Sequence, residues 1–198
     1  MKYSDNIYIY PTDTVWGIGA RIDKQELSKK VLRAKNIDSF RPFSIMFDNL
    51  KHLREYVDLP SHLTDEWLRV FFKMESTLLV PKKYFITDLG NWIIGDSEFV
   101  GLRCLERVEV QKVYEMAQGP FTTTSLNITS NPPITNDADA KEFYDSYCPK
   151  EVFVKREDGP MSGNASTIIM LSNNNEFKVI REGKYFKELK DHLGLLST

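Results

Sequence analysis

Short apolar runs alternate along the chain with longer segments whose apolar side chains recur at helical spacing. The short runs are rich in Ile, Val, Phe and Tyr, which favour β-strands. They predict eight strands, at residues 7–10, 43–47, 77–80, 99–103, 121–124, 151–154, 167–171 and 177–181. Strands that alternate with helical segments are typical of an α/β fold.

Three of the longer segments carry recognisable helix boundaries. The first has Asp23 as its predicted N-cap and Glu26 three residues later, which is the spacing of a capping box. The second covers residues 109–118 and ends at Gly119, and the third begins at Ser61 as its cap. Other strands are joined by loops rich in Asn, Gly and Pro, so the sheet is predicted to mix parallel and antiparallel pairs.

Composition is consistent with one folded domain, predicted to cover residues 1–198. Hydrophobic residues make up 41% of the chain, and neither an internal repeat nor a low-complexity linker divides it. The 26 basic and 28 acidic residues give a net charge of −2, which excludes the overall basic excess of a nucleic-acid coat protein. The basic residues are unevenly placed, however, because residues 21–41 contain seven of them against three acidic ones.

Cysteine and histidine usage points to a reduced, cytoplasmic protein with no metal centre. Cys104 and Cys148 lie far apart and lack further ligands at metal-binding spacing. His52, His62 and His192 have no partner at such spacing either, so they are interpreted as surface residues. The N-terminal stretch lacks the long apolar centre of a signal peptide, and the longest apolar run is too short for a membrane helix.

Candidate chemistry is concentrated in four hydroxyl-rich loops beside predicted strands, at residues 10–20, 33–47, 122–135 and 163–171. The sequence contains no nucleophile elbow, zinc-protease helix or glycine-rich phosphate loop of the usual kinds. Hydroxyl and backbone donors at strand ends are able to surround a bound anion, although Thr and Ser at such places are also common turn residues. The four loops are therefore candidates for an anion site, and taken one at a time they are equally explained as turns and strand edges.

Five segments in this order resemble the motifs of the YrdC family: YPTDTVWGIGA, VGLR, TSLNITSNPPIT, STIIML and REG. The resemblance spans nearly the whole chain. It implies a single YrdC-like domain, in which a large twisted mixed sheet flanked by helices surrounds a central cavity. It also implies the family's activity, which is the synthesis of threonylcarbamoyl-AMP and pyrophosphate from L-threonine, bicarbonate and ATP with Mg²⁺, for the modification of tRNA.

The resemblance assigns roles to individual residues. It places a threonine-binding set at Thr12, Thr14, Arg103, Thr123 and Thr167. It places a nucleotide-binding set at Lys35, Arg41, Ser125, Asn127 and Arg181. Lys35 and Arg103 are the implied catalytic residues, and no residue is assigned to a metal. Downstream threonylcarbamoyl transferase proteins and tRNA are the implied partners.

The chain departs from the family pattern at several positions. Ile37 stands where the K-x-R signature has its arginine, and Arg41 is the candidate replacement. Met46 replaces a histidine, and residues 73–77 replace a P-G-P-x-T turn. These departures leave open a YciO-like paralogue that binds a nucleotide or double-stranded RNA without catalysis.

A third interpretation is an interaction subunit of the tRNA-modifying pathway. Its partner surface would contain the aromatic residues Tyr84, Phe85 and Trp92. The same residues are also typical of a protein core.

Overall fold

The computed structural model describes residues 3–194, and in these residues the strands form one nine-stranded sheet. The strands are β1 (Tyr8–Pro11), β2 (Trp16–Gly19), β3 (Ser44–Phe47), β4 (Ser76–Pro81), β5 (Phe99–Cys104), β6 (Phe121–Ser125), β7 (Val152–Phe153), β8 (Thr167–Leu171) and β9 (Phe177–Arg181). The helices are α1 (Gln25–Ala34), α2 (Leu50–Tyr56), α3 (Asp65–Lys73), α4 (Asn91–Ile94), α5 (Val108–Ala117), α6 (Asp137–Tyr147) and α7 (Phe186–Gly194). A short 3₁₀ helix (Lys82–Tyr84) follows β4.

The sheet has the strand order β7-β1-β2-β6-β3-β5-β4-β8-β9. Parallel pairing joins β1 to β7, β3 to β5, and β4 to β8, whereas the other neighbours are antiparallel. The prediction of a mixed α/β sheet flanked by helices is therefore confirmed. No described helix has the length and apolar character needed to cross a membrane.

The described residues form nine strands where the sequence predicted eight, and the additional strand is β2. Two of its four residues are glycines, and the pattern predicted a loop there. Gly19 is required by close packing, because a Cβ atom at this position would lie 1.7 Å from the carbonyl oxygen of Thr122 on the neighbouring strand. The short β2 thus sits directly against β6.

Two predicted helix caps were wrong, one by a single residue and the other by three. Helix α1 has Lys24 as its N-cap, and the Asp23 carboxylate is instead bound by Arg21 at 2.6 Å. Helix α3 is capped by Thr64, whose hydroxyl accepts the N–H of Trp67 at 3.2 Å, and not by Ser61. Helices α2, α4 and α6 were not predicted.

The aromatic, histidine and cysteine residues noted in the sequence lie outside the four hydroxyl-rich loops. Phe85 is buried, and both Tyr84 and Trp92 pack against the core, so these aromatic residues do not form an exposed surface. His62 is exposed, whereas His52 and His192 are half-buried and stack on aromatic rings. Cys104 and Cys148 are buried free thiols, and burial raises the pKa of both.

Glu109, at the start of α5, anchors the segment that precedes β8. Its fully buried carboxylate accepts the N–H groups of Glu157 and Asp158 at 2.8 and 2.9 Å and pairs with Arg107. Burial alone would raise the pKa of Glu109, but these donors outweigh it and lower the pKa to about 2. The carboxylate therefore stays ionised and fixes residues 157–158 against the domain.

Candidate anion-binding site

Small and hydroxyl-bearing residues lie side by side across one face of the central sheet. Strand pairing sets Gly17 opposite Ser125, and Ser44 lies between Thr123 on β6 and Gly101 on β5. Because cross-strand neighbours project to the same face, these residues leave an open, polar floor in the middle of the sheet. Two adjoining cavities lie above it.

The first cavity has a volume of about 240 Å³. Its polar lining includes Thr12, Thr14, Arg103, Thr123, Ser166 and Arg181. The hydroxyl of Thr123 also shares a hydrogen bond with the buried hydroxyl of Tyr10. Four of the five residues predicted to bind threonine therefore face one common space.

The turn after β1 is folded by its own side chains. The hydroxyl of Thr12 donates to the carbonyl of Val15 at 2.6 Å and accepts the N–H groups of Thr14 and Val15. This arrangement presents the Thr14 hydroxyl to Arg103, whose Nη1 donates to it at 3.2 Å. The turn and the arginine are thus held as one unit.

Asp13 is a site residue that sequence reasoning did not single out. Its Oδ1 accepts a hydrogen bond from Nη2 of Arg103 at 2.6 Å, and both side chains are largely buried. The available signal was its position between Thr12 and Thr14 in the first motif. The ion pair orients the guanidinium towards the cavity.

Arg181 reaches the first cavity from the edge strand β9. Its Nε donates to the carbonyl of Ser166 at 2.9 Å, and its Nη2 donates to the hydroxyl of the same residue at 3.1 Å. Burial, together with the positive charge of Arg103, lowers the pKa of Arg181. Among the described residues no carboxylate lines this cavity, and of its two guanidinium groups only that of Arg103 is paired, with Asp13, so the space between them favours an anion.

The second cavity, of about 110 Å³, is lined by Lys35, Ile37, Arg41, Ser125, Asn127 and Thr129. Lys35 is 4% exposed, and its ammonium donates to the carbonyl of Ser125 and, at 2.6 Å, to Oδ1 of Asn127. Burial, reinforced by the positive charge of Arg41, lowers the pKa of Lys35 to about 8. In this cavity too, no described lining residue is acidic.

The two cavities share Pro42, Thr124 and Ser125 in their walls. The predicted nucleotide residues Lys35, Arg41, Ser125 and Asn127 line the second cavity, whereas Arg181 lines the first. The structure places Thr167 outside both. Its buried hydroxyl accepts the N–H of Gly183 at 3.1 Å, while strand alternation turns Ser166 and Ile168 towards the first cavity.

Most of the basic residues between positions 21 and 41 are paired with carboxylates. The pairs are Arg21–Asp23, Lys24–Asp5, Lys29–Glu26 and Lys30–Glu151. Within residues 3–194, Arg33, Lys35 and Arg41 form no salt bridge, and the last two line the second cavity. The local positive excess is therefore concentrated at that cavity and not spread along α1.

A family model confirms the resemblance to the YrdC family. The model Sua5_yciO_yrdC, described as telomere recombination, matches residues 3–183. The chain belongs to the Sua5/YciO/YrdC family. A relative within this family, the threonylcarbamoyl-AMP synthase of Pseudoalteromonas atlantica (strain T6c / ATCC BAA-1087), is 26% identical over 162 residues, which cover 81% of this chain and 82% of the relative.

Solved structures show that the fold is shared within the Sua5/YciO/YrdC family. The crystal structure of P. abyssi Sua5 complexed with L-threonine matches 96% of this chain with a TM-score of 0.78 and 21% identity. This chain spans only 54% of that Sua5 chain. The crystal structure of E. coli YciO matches 90% of this chain and 83% of its own, with a TM-score of 0.72 and 17% identity.

Proposed function

We propose that the protein is a threonylcarbamoyl-AMP synthase, which acts on L-threonine, bicarbonate and ATP. The observation that carries the proposal is the pair of adjoining cavities, each lined by cationic and hydroxyl side chains and neither by a carboxylate among the described residues. Such a pair suits two anionic substrates that must meet. The synthase relatives in the family and the Sua5 structure with L-threonine support the same assignment.

The proposed reaction requires positioning and charge stabilisation and needs no protein nucleophile. The amine of L-threonine takes up bicarbonate with loss of water, and an oxygen of the resulting carbamate attacks the α-phosphorus of ATP. The bond to the β-phosphate breaks, and pyrophosphate leaves. Arg103 would hold the threonine carboxylate, and Lys35 would bind phosphate oxygens and stabilise their charge.

Magnesium is proposed to arrive bound to the ATP phosphates. The described residues contain no group of three His, Cys, Asp or Glu side chains able to hold a metal ion. Mg²⁺ commonly keeps several waters and binds substrate phosphates, so the cationic linings of both cavities are compatible with a metal held mainly by the nucleotide. When bound, the ion would neutralise charge on the leaving pyrophosphate.

The decisive test is pyrophosphate release by the purified protein supplied with ATP, Mg²⁺ and bicarbonate, with and without L-threonine. We expect release that depends on both threonine and bicarbonate, with threonylcarbamoyl-AMP detected by mass spectrometry. L-Serine in place of threonine controls for general amino-acid stimulation. ATP binding without any release would contradict the proposal and favour a YciO-like binding protein.

The pKa of Lys35 predicts a pH dependence of nucleotide binding. The ammonium that attracts phosphates is present below about pH 8 and is lost as the pH rises through that value. We therefore expect the Kd for ATP, measured by calorimetry, to rise about tenfold between pH 7 and pH 9. A Lys35→Met variant should bind more weakly at pH 7 and lose this slope; an unchanged slope would assign the titration to another group.

The product would pass to threonylcarbamoyl transferase proteins that act on tRNA, and we place the reaction in the cytoplasm, where ATP and tRNA are available.

Direct binding of double-stranded RNA is the weaker candidate function, because most basic side chains of the α1 region are already paired with carboxylates. RNA binding through phosphates would weaken steeply with salt. ATP binding that is independent of RNA and only mildly salt-dependent would favour the synthase.

A further inference from the structure

Glu75 is a largely buried carboxylate beside the first cavity that the proposed mechanism does not use. It lies immediately before β4, is 7% exposed, and has a positive φ of 50°, a conformation uncommon for residues other than glycine. It occupies the turn in which this chain departs from the P-G-P-x-T pattern. Its Oε2 accepts a hydrogen bond from the hydroxyl of Ser162 at 2.6 Å.

Ser162 connects Glu75 to the turn that presents the predicted threonine-binding residues. The N–H of Ser162 donates to the carbonyl of Asp13, and the N–H of Gly163 donates to the carbonyl of Thr14, each at 2.8 Å. The carbonyl of Glu75 also accepts the N–H of Thr167 at 3.0 Å. Glu75 is therefore bonded to both ends of the stretch 162–167.

The charges around Glu75 tie it to the same site. Burial raises the pKa of its carboxyl, and the charge of Asp13 adds to the rise, whereas the Ser162 hydrogen bond and the charges of Lys184 and Arg103 oppose it. Asp13 is the residue that holds the Arg103 guanidinium. A substitution of Glu75 would thus affect Arg103 in two ways. It would alter the hydrogen bonds that run through Ser162 to Asp13, and it would remove a negative charge that interacts with Arg103.

We propose that Glu75 is a positioning residue for L-threonine, acting through Ser162 to hold Asp13 and Thr14 in the orientation that directs Arg103 into the first cavity. This inference rests on the proposed function for its substrate, although the contacts that carry it do not. It assigns residues 73–77 a role in binding the amino acid and none in binding the nucleotide. Among residues 3–194, no hydrogen bond joins Glu75 to a residue that lines the second cavity.

The kinetic test compares Glu75→Ala, Glu75→Gln and Ser162→Ala with the unmodified protein. Ala and Gln at position 75 would both adopt the same positive φ, so a difference in KM between these two variants reflects the lost side-chain contact and not backbone strain. We expect Glu75→Ala and Ser162→Ala to raise KM for L-threonine about tenfold, the usual effect of losing a hydrogen bond to a charged group, with little change in KM for ATP. Gln retains an acceptor oxygen for Ser162 and should restore KM to within about threefold.

A double variant and an exposed control complete the kinetic design. Glu75→Ala combined with Ser162→Ala should raise KM no further than Ser162→Ala alone, because Ser162→Ala already removes the hydrogen bond to Glu75, together with the longer one that the Ser162 hydroxyl accepts from the N–H of Asn164 at 3.3 Å. Glu98→Ala, at an exposed ion pair with Lys82, should leave both KM values unchanged. Equal increases in both KM values, or a Gln variant as poor as Ala, would overturn the inference.

Hydrogen exchange separates failure of this inference from failure of the proposed function. The amide hydrogens of Ser162 and Gly163 report directly on the bonds to Asp13 and Thr14. They should exchange about tenfold faster in Glu75→Ala, but not in Glu75→Gln, whether or not the protein releases pyrophosphate. Unchanged exchange in Glu75→Ala would disprove the connection, even in an active synthase.

Discussion

Arg103→Ala is expected to lower kcat/KM for L-threonine about 1,000-fold, since it removes a charged donor with two N–H groups from the proposed threonine site. In the structure this guanidinium is held by Asp13 and Thr14 and lines the first cavity. Threonine-dependent pyrophosphate release is the measurement. Retention of most of the activity would show that the threonine carboxylate binds elsewhere.

Two controls isolate the guanidinium from general effects. Arg103→Lys keeps the charge but not the planar fork, so we expect it to recover only a small part of the loss. Arg156→Ala removes an arginine from an exposed ion pair with Asp137 and should leave catalysis unchanged. Because Arg103→Ala strands the Asp13 carboxylate, the double variant with Asp13→Asn tests whether lost stability explains the result.

Arg41→Glu is expected to raise the Kd for ATP at least about 100-fold. The substitution replaces a positive charge that attracts the phosphates with a negative charge that repels them. Arg41 lines the second cavity and forms no salt bridge within residues 3–194, and its charge helps to lower the pKa of Lys35. A carboxylate there would also compete with the phosphates for the Lys35 ammonium. An unaffected Kd, measured by calorimetry, would remove Arg41 from the nucleotide site.

Two other substitutions test whether the effect depends on the location of Arg41 in the second cavity or only on the net charge of the region. Arg33→Glu makes the same change in the same basic stretch, but at an exposed position on α1 that lines neither cavity, so it should weaken ATP binding only slightly. Ile37→Arg restores the arginine of the K-x-R signature inside the second cavity. Added to Arg41→Ala, it should recover most of the lost affinity if Arg41 replaces that arginine.

The fold class followed from the sequence because its main strands are β-branched and aromatic runs with clear ends. Strand β2 was missed because Gly17 and Gly19 resemble loop residues, and only contact with Thr122 on the neighbouring strand explains the glycine at position 19. Helix α6 was missed since only Ala140 and Phe143 are buried along its eleven residues. Weak amphipathicity leaves such a helix without a clear apolar pattern.

Residues of the candidate site could be predicted where they belong to a family motif. They were harder to predict where tertiary contacts determine which side chain faces the cavity. Motif matching identified Arg103 and Lys35, and the structure brings each to a cavity. It could not tell which of Ser166 and Thr167 faces the first cavity, because that depends on strand alternation. Glu75 was invisible as a site residue, since its partner Ser162 is distant in the sequence.

The wall that the two cavities share has a thermodynamic consequence. Pro42, Thr124 and Ser125 line both spaces, so any change that a ligand in one cavity makes to these residues is also a change in the wall of the other. Linkage requires such an effect to be mutual: under the proposed function, a factor by which ATP changes the affinity for threonine is the same factor by which threonine changes the affinity for ATP. Under a positive coupling the two cavities would fill together, and each substrate alone would bind more weakly than in the presence of the other.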